Sequence, residues 1–131
     1  MMTDALLSDP EAKQLLIIVP TYNESSNIAE LVTRVFSNVS HAHLLVVDDN
    51  SPDGTAGIAE NLRSTHPNLE VLRRTGDRGL GRAYTEGIHY ALDHGFQVIG
   101  TMDADLSHDP AYLPPMLALL GKCDVVIGSR Y

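Results

Sequence analysis

Leu15-Leu16-Ile17-Ile18-Val19 is an unbroken apolar run, with β-branched residues at its last three positions. A strand with one wet face alternates apolar and polar side chains, whereas a strand covered on both faces reads as a continuous apolar stretch. The run therefore predicts a buried strand of a parallel sheet. Pro20 is expected to end it, because proline has no N–H for the ladder. Downstream, Ile28, Leu31, Val32, Val35 and Phe36 recur at helical spacing, and Asn27-x-x-Glu30 reads as a capping pair at the start of that helix. Residues 44–47 are a second strand. Ile58, Ala59 and Leu62 form the inner face of a second helix, and residues 69–72 are a third strand. A third helix turns Ala83, Ile88, Ala91 and Leu92 inward and is capped by Gly95. Residues 97–102 are a fourth strand. Asp109-Pro110 opens a fourth helix with an N-cap and a proline in the first position, Leu113, Met116, Leu117 and Leu120 make its core face, and Gly121 stops it. Residues 124–127 read as a fifth strand.

Strands and helices in alternation imply an α/β fold, a mostly parallel sheet with helices on both faces. Residues 1–13 read as a polar, disordered arm, leaving 14–131 as one domain. Ligands of such sheets bind beyond the carboxyl ends of the strands. The polar clusters all fall there: Pro20-Thr21-Tyr22-Asn23-Glu24, then residues 48–54, 73–82 and 103–108, and finally Ser129-Arg130-Tyr131. The most pointed is Asp103-Ala104-Asp105, at the end of the fourth strand. In extended backbone, side chains i and i+2 point the same way, so both carboxylates can converge on one point. A hard divalent cation takes one or two carboxylates and fills its remaining positions with substrate phosphates, so a metal-bridged diphosphate is the chemistry this pattern suits.

Composition narrows the classes. Hydrophobic residues make up 44% of the 131, which places the chain among globular proteins. The net charge of −8 lacks the basic footprint of a nucleic-acid binder. It also requires any polyanionic ligand to be held locally by metal, arginine or helix N-termini. The single cysteine, Cys123, excludes an internal disulfide and suits a reduced, cytoplasmic setting; it reads as a small buried apolar residue. Dinucleotide binding needs G-x-G-x-x-G directly after the first strand, where Pro20-Thr21-Tyr22-Asn23-Glu24 stands instead. No G-x-x-x-x-G-K-[ST] string is present.

Val19-Pro20-Thr21-Tyr22-Asn23-Glu24, the run from Val46 to Thr55 (VVDDNSPDGT), Gly79-Leu80-Gly81, the run from Met102 to His108 (MDADLSH) and Gly128-Ser129-Arg130-Tyr131 together resemble the dolichyl-phosphate (polyprenol-phosphate) mannosyltransferases, inverting glycosyltransferases of family 2. The resemblance runs from about Leu15 to the last residue. It implies the three-layer, Rossmann-like GT-A fold of nucleotide-diphospho-sugar transferases. It implies transfer of mannose from GDP-mannose to a dolichyl or polyprenyl phosphate, with Mg²⁺ or Mn²⁺ as cofactor, at the cytosolic face of a membrane. By the same resemblance, Pro20, Tyr22 and Glu24 belong to the nucleotide-contacting first loop, and Val47 and Asp49 to the guanine pocket. Asp103, Ala104 and Asp105 belong to the metal and diphosphate loop, with Asp105 as the leading catalytic residue. Ser107 would be a polar group near the metal, and Arg130 a donor-binding arginine. Arg78 and Arg82 flank the glycine loop, within reach of phosphate or simply at the surface.

Plainer roles stand beside these. Asp48 and Asp53 suit turn and cap positions, and Tyr84 and Tyr90 suit packing. His41-x-His43 lacks the further ligands of a zinc site. Members of the resembled family continue for roughly as many residues again. The expectation is thus a fold truncated after its fifth strand, with acceptor and peripheral membrane contacts supplied by the remaining part or by a membrane partner. Other readings of the same residues are a non-catalytic nucleotide-sugar-binding fragment that needs a partner, and a related transferase with another donor.

Overall fold

The structure is a computed structural model and describes residues 15–119. Four strands, β1 (Leu15–Thr21), β2 (His43–Asp48), β3 (Leu69–Arg73) and β4 (Val98–Thr101), form one sheet in the order β3-β2-β1-β4, every pair parallel. Between them run α1 (Ile28–Asn38), α2 (Thr55–Leu62) and α3 (Leu80–Asp93). A 3-10 turn (Pro110–Tyr112) leads from β4 into α4 (Leu113–Leu119). The arm at 1–13, the helix end at Leu120-Gly121, Cys123, the strand at 124–127 and Arg130 all lie outside the described residues.

Side chains of β1 divide by parity, as a strand buried on both faces requires. Leu15, Ile17 and Val19 pack with Leu44 and Val46 of β2 against Ile28, Leu31, Val32 and Val35 of α1, Ala59 of α2 and Leu117 of α4. Leu16 and Ile18 pack with Leu45 and Val47 against Ala83 and Ala91 of α3. The result is three layers, α1, α2 and α4 on one face and α3 on the other.

Pro20 does not end β1, which continues to Thr21. Pairing with β4 stops at Ile18↔Thr101, whereas pairing with β2 runs on to Thr21↔Asp48. Strand residues of one parity address one neighbour. Met102 donates to the Ile18 carbonyl on the β4 side, so Pro20 turns its missing N–H to that side, beyond the last paired residue. No ladder bond is lost, and the sheet parts there.

Ile88 and Leu92 are not core residues. They are 39% and 64% exposed. The buried stripe of α3 is Ala83, Gly87 and Ala91. A Cβ at Gly87 would lie 2.6 Å from Ile18 Cγ2, so the helix rests directly on β1 through small residues and its larger apolar side chains turn outward. Gly95 caps α3 as expected. It has φ +76°, its N–H donates to Leu92, and the Phe96 N–H donates to Ala91, the two bonds of a Schellman ending.

The Asn27–Glu30 capping pair does not form. The Asn27 amide donates to the Glu24 carboxylate at 3.0 Å, a charge-assisted bond, while Glu30 pairs with Arg34 at 2.9 Å. Asp109 does accept from the Ala111 N–H at 3.0 Å, but the turn it opens is 3-10, with the α-helix beginning at Leu113. Among the described residues, no helix is long and apolar enough to cross a membrane.

Candidate functional site

Where the sheet parts, the carboxyl ends of β1, β2 and β4 and the entry to α3 enclose a cleft of about 380 Å³. Pro20, Thr21, Tyr22 and Glu24 line it from β1, Asp49 from β2, and Asp103, Ala104 and Asp105 from β4. Arg78, Gly79, Leu80 and Ala83 close the α3 side.

The first two loops are stitched together. The Asn23 N–H donates to Ser51 Oγ at 2.9 Å, Glu24 N–H to Thr55 Oγ1 at 3.0 Å, Ser25 N–H to Asp53 Oδ2 at 3.1 Å and Asp49 N–H to the Thr21 carbonyl at 3.0 Å. Asn23 and Asn50 both adopt left-handed backbone, at φ 55° and 60°, which asparagine tolerates well. Asp48 is buried and accepts from Thr21 Oγ1 at 2.7 Å, from the Ser51 N–H at 2.9 Å and from its hydroxyl at 2.7 Å. Asp53, one residue before the Gly54 cap of α2, accepts the Thr55 N–H at 3.0 Å. Its bonds to Thr55 and Ser25 lower its pKa to about 2. Both aspartates build the turn.

Asp49 is buried against Arg74, the first residue after β3, and the two form an ion pair. The other Asp49 oxygen accepts the Gly79 N–H at 2.8 Å. One carboxylate thus ties the end of β2 to the loop that begins α3.

On the β4 side, Tyr84 Oη of α3 stands 3.4 Å from Asp103 Oδ1. Burial, and then the Asp103 charge, raise the Tyr84 pKa. The Asp103 N–H donates to His108 Nδ1 at 3.1 Å. Asp105 accepts the Ser107 N–H at 2.9 Å. Hydrogen bonds from the Ser107 side chain and then its backbone hold Asp105 below the usual carboxylate range. Between them Leu106 is left-handed, φ 66°, a strained conformation for a branched side chain and of the kind that collects at functional loops.

No group of three or more His, Cys, Asp or Glu among the described residues is arranged to hold a metal. What the loop after β4 offers the cleft is two carboxylates, Asp103 half-exposed and Asp105 exposed and kept ionised. That donor set fits a hard cation that completes its coordination with water and a phosphorylated ligand.

The glycosyl transferase family 2 model matches residues 16–131. The chain belongs to glycosyl transferase family 2. It is 44% identical over 121 residues to polyprenol monophosphomannose synthase of Mycolicibacterium smegmatis, covering 91% of this chain and 46% of that protein. It is 43% identical over 117 residues to undecaprenyl-phosphate mannosyltransferase of Micrococcus luteus, covering 89% and 48%. The chain thus spans about half the length of these curated relatives. Among solved structures it resembles the mannosyltransferase PcManGT of Pyrobaculum calidifontis in complex with GDP-Man and Mn²⁺. The TM-score is 0.55 at 27% identity, over 69% of this chain and 30% of that one. The fold agrees with the GT-A class expected from the sequence.

Of the residues singled out in this family 2 chain, Pro20, Tyr22, Glu24, Asp49, Asp103, Ala104 and Asp105 meet at one cleft. Val47 does not reach it. Its side chain is fully buried beneath α3. Ser107 is exposed and is not part of the lining. Arg78 enters the cleft, whereas Arg82 turns to Asp77 at 3.3 Å. Sequence reading passed over Arg74 and took Tyr84 as packing. A signal for Arg74 existed. Arg73 ends a strand and Arg74 comes next, so alternation sends only one of them outward. Arg73 pairs with the surface Glu60, and Arg74 turns in.

Proposed function

We propose that this chain binds the donor of a mannosyltransferase that moves mannose from GDP-mannose to a polyprenyl or dolichyl phosphate, residues 14–131 forming the nucleotide-sugar-binding part. The observation that carries the reading is the convergence of Tyr22, Glu24, Asp49, Asp103 and Asp105 on one cleft at the carboxyl ends of three strands. Its kinship with proteins named as polyprenyl-phosphate mannosyltransferases supports the choice of sugar and acceptor. The GDP-Man complex of PcManGT supports the choice of nucleotide.

In this reading Tyr22 and Glu24 contact the nucleoside. The ring offers a flat face, and the carboxylate accepts from N–H or hydroxyl groups. Asp49 accepts guanine N–H donors with the lone pairs that Arg74 and Gly79 leave free. Asp103 and Asp105 would hold Mg²⁺ or Mn²⁺, with the Ser107 hydroxyl bonded to Asp105 beside them, and the family resemblance gives Arg130 a donor-binding role. A cation held there would supply positive charge to the departing diphosphate. Tyr84 and His108 hold the Asp103 loop in place. The acceptor phosphate oxygen attacks the anomeric carbon from the face opposite GDP; the C–O bond to the diphosphate breaks, and GDP leaves with the electron pair. A phosphate monoester has a second pKa of about 6 and is already largely anionic at neutral pH, so no strong general base is needed. The lipid acceptor places the chemistry at the cytosolic membrane face, with membrane contacts made outside the described residues.

Titration with GDP-mannose and UDP-glucose in the presence of Mn²⁺ tests the assignment. Preference for GDP-mannose by at least about tenfold, one charged hydrogen bond's worth, is expected. Equal affinities would remove the guanine assignment.

A further inference from the structure

We infer that Arg74 is a positioning residue for the donor cleft: by gripping Asp49, the Asp77 carbonyl and Glu86 at once, it locks the base-side wall and the glycine loop into a single unit. The inference rests on the donor-site reading above and adds a residue that touches no donor atom. Arg74 is 6% exposed, while its neighbour Arg73 pairs with Glu60 in the open. Its Nη1 pairs with Asp49, Nη2 donates to the Asp77 carbonyl at 3.3 Å, and Nε lies 3.2 Å from Glu86 Oε1 on α3. That Nε is buried and is not aligned for a hydrogen bond. Asp49, so fixed, takes the Gly79 N–H, and Gly79, Leu80 and Ala83 are the cleft's α3 wall.

Burying a charge pair gains little stability over a well-packed apolar pair, because desolvation offsets the attraction. Its use here is geometric. Guanidinium is a rigid, planar fork that addresses several acceptors from one position, whereas the lysine ammonium is a compact charge without that fixed fork. Without the fork, Asp49 and the Gly79 loop relax independently, and both the base contact and the phosphate-side loop lose their spacing.

The experiment compares GDP and UDP binding by calorimetry, with and without Mn²⁺, for the unchanged chain, Arg74→Lys and Glu86→Gln, at a temperature where circular dichroism shows each folded. The expected result for Arg74→Lys is GDP affinity lowered by about tenfold or more, a GDP-over-UDP preference shrunk towards unity, and Mn²⁺ dependence retained. A role confined to stability would move the melting point and leave that preference intact. Glu86 is half-exposed, so its replacement leaves the Asp49 pair buried and the fold in place. About two- to fivefold weaker GDP binding is expected, with the same loss of preference. If Arg74→Lys does not fold, Glu86→Gln decides. Unchanged GDP affinity and preference in the folded variants overturn the inference while leaving the donor site standing. Absence of GDP binding by the unchanged chain overturns the donor-site reading, and the inference with it.

Discussion

The guanidinium of Arg78 lies 4.0 Å from the ring centroid of Tyr22, across the mouth of the cleft. The two residues come from different walls, one after β1 and one before α3. The cation covers the flat face that a nucleobase or ribose would use. An exposed cation–π contact is worth only about 0.5–1 kcal/mol, so a ligand displaces it readily. Once displaced, Arg78 stands free to meet a phosphate. Arg78→Ala is therefore expected to leave guanosine binding unchanged or slightly stronger, and to weaken GDP by about tenfold through loss of a charge-assisted bond. Calorimetry with both ligands checks it; an equal loss for both would mean that Arg78 serves the nucleoside.

Asp49 has a structural effect besides any ligand contact. Asp49→Ala leaves the buried Arg74 guanidinium uncompensated and frees the Gly79 N–H. Removing one partner of a buried pair costs about 3–5 kcal/mol, so Asp49→Ala should unfold at much lower urea concentration. Asp49→Asn keeps an acceptor for Gly79 and should lose less. Denaturant titration of both variants checks the order.

The layer structure was legible because it rests on burial. The apolar run 15–19 and the helical spacing of Ile28, Leu31, Val32 and Val35 report which faces water cannot reach, and these residues are core. The cleft was legible because its polar residues stand where strands end. Less legible were features set by contact geometry. Pro20 stays in β1 because β4 has already stopped pairing at Ile18↔Thr101, a fact about a strand far away in sequence. Ile88 and Leu92 turn outward because α3 sits on Ala83, Gly87 and Ala91, a choice that composition alone does not reveal. Asn27 leaves its helix without a side-chain cap because its own backbone is already helical, φ −112° and ψ −23°, where a capping residue takes an extended conformation. Arg74 needed the pairing of β3 with β2 before its direction could be assigned.

The close approach at Gly87 sets a stability prediction. A methyl group there meets Ile18 Cγ2 at 2.6 Å, in the middle of the sheet's α3 face. Gly87→Ala gains helix propensity of about 1 kcal/mol but must push α3 off β1, and overpacking costs about 1–3 kcal/mol. The net expectation is a loss of up to about 2 kcal/mol, with Gly87→Val losing more. Melting curves for both variants check it; a Gly87→Val protein as stable as the unchanged chain would contradict the packing.

Asp53 gives a pH prediction. Its pKa falls from 3.8 to about 2 in the folded chain because Thr55 and Ser25 donate to its charged form. A depressed carboxylate stabilises the fold above its unfolded pKa, and the contribution is lost as pH falls through the folded value. The stability difference between the unchanged chain and Asp53→Asn should therefore be constant above about pH 5 and shrink between about pH 4 and pH 2. Urea titrations across that range check it. A difference that grew on acidification would have the wrong sign.

In the proposed donor site, the carboxylates after β4 would hold a divalent cation against a nucleotide diphosphate in the cleft. The direct measurement is GDP affinity with and without Mn²⁺ for the unchanged chain and for Asp105→Ala. Asp105 is exposed and its side chain supports no core residue, so the variant should fold. The prediction is that Mn²⁺ strengthens GDP binding by about tenfold or more in the unchanged chain and has no effect on Asp105→Ala. The same Mn²⁺ dependence in both proteins would contradict it.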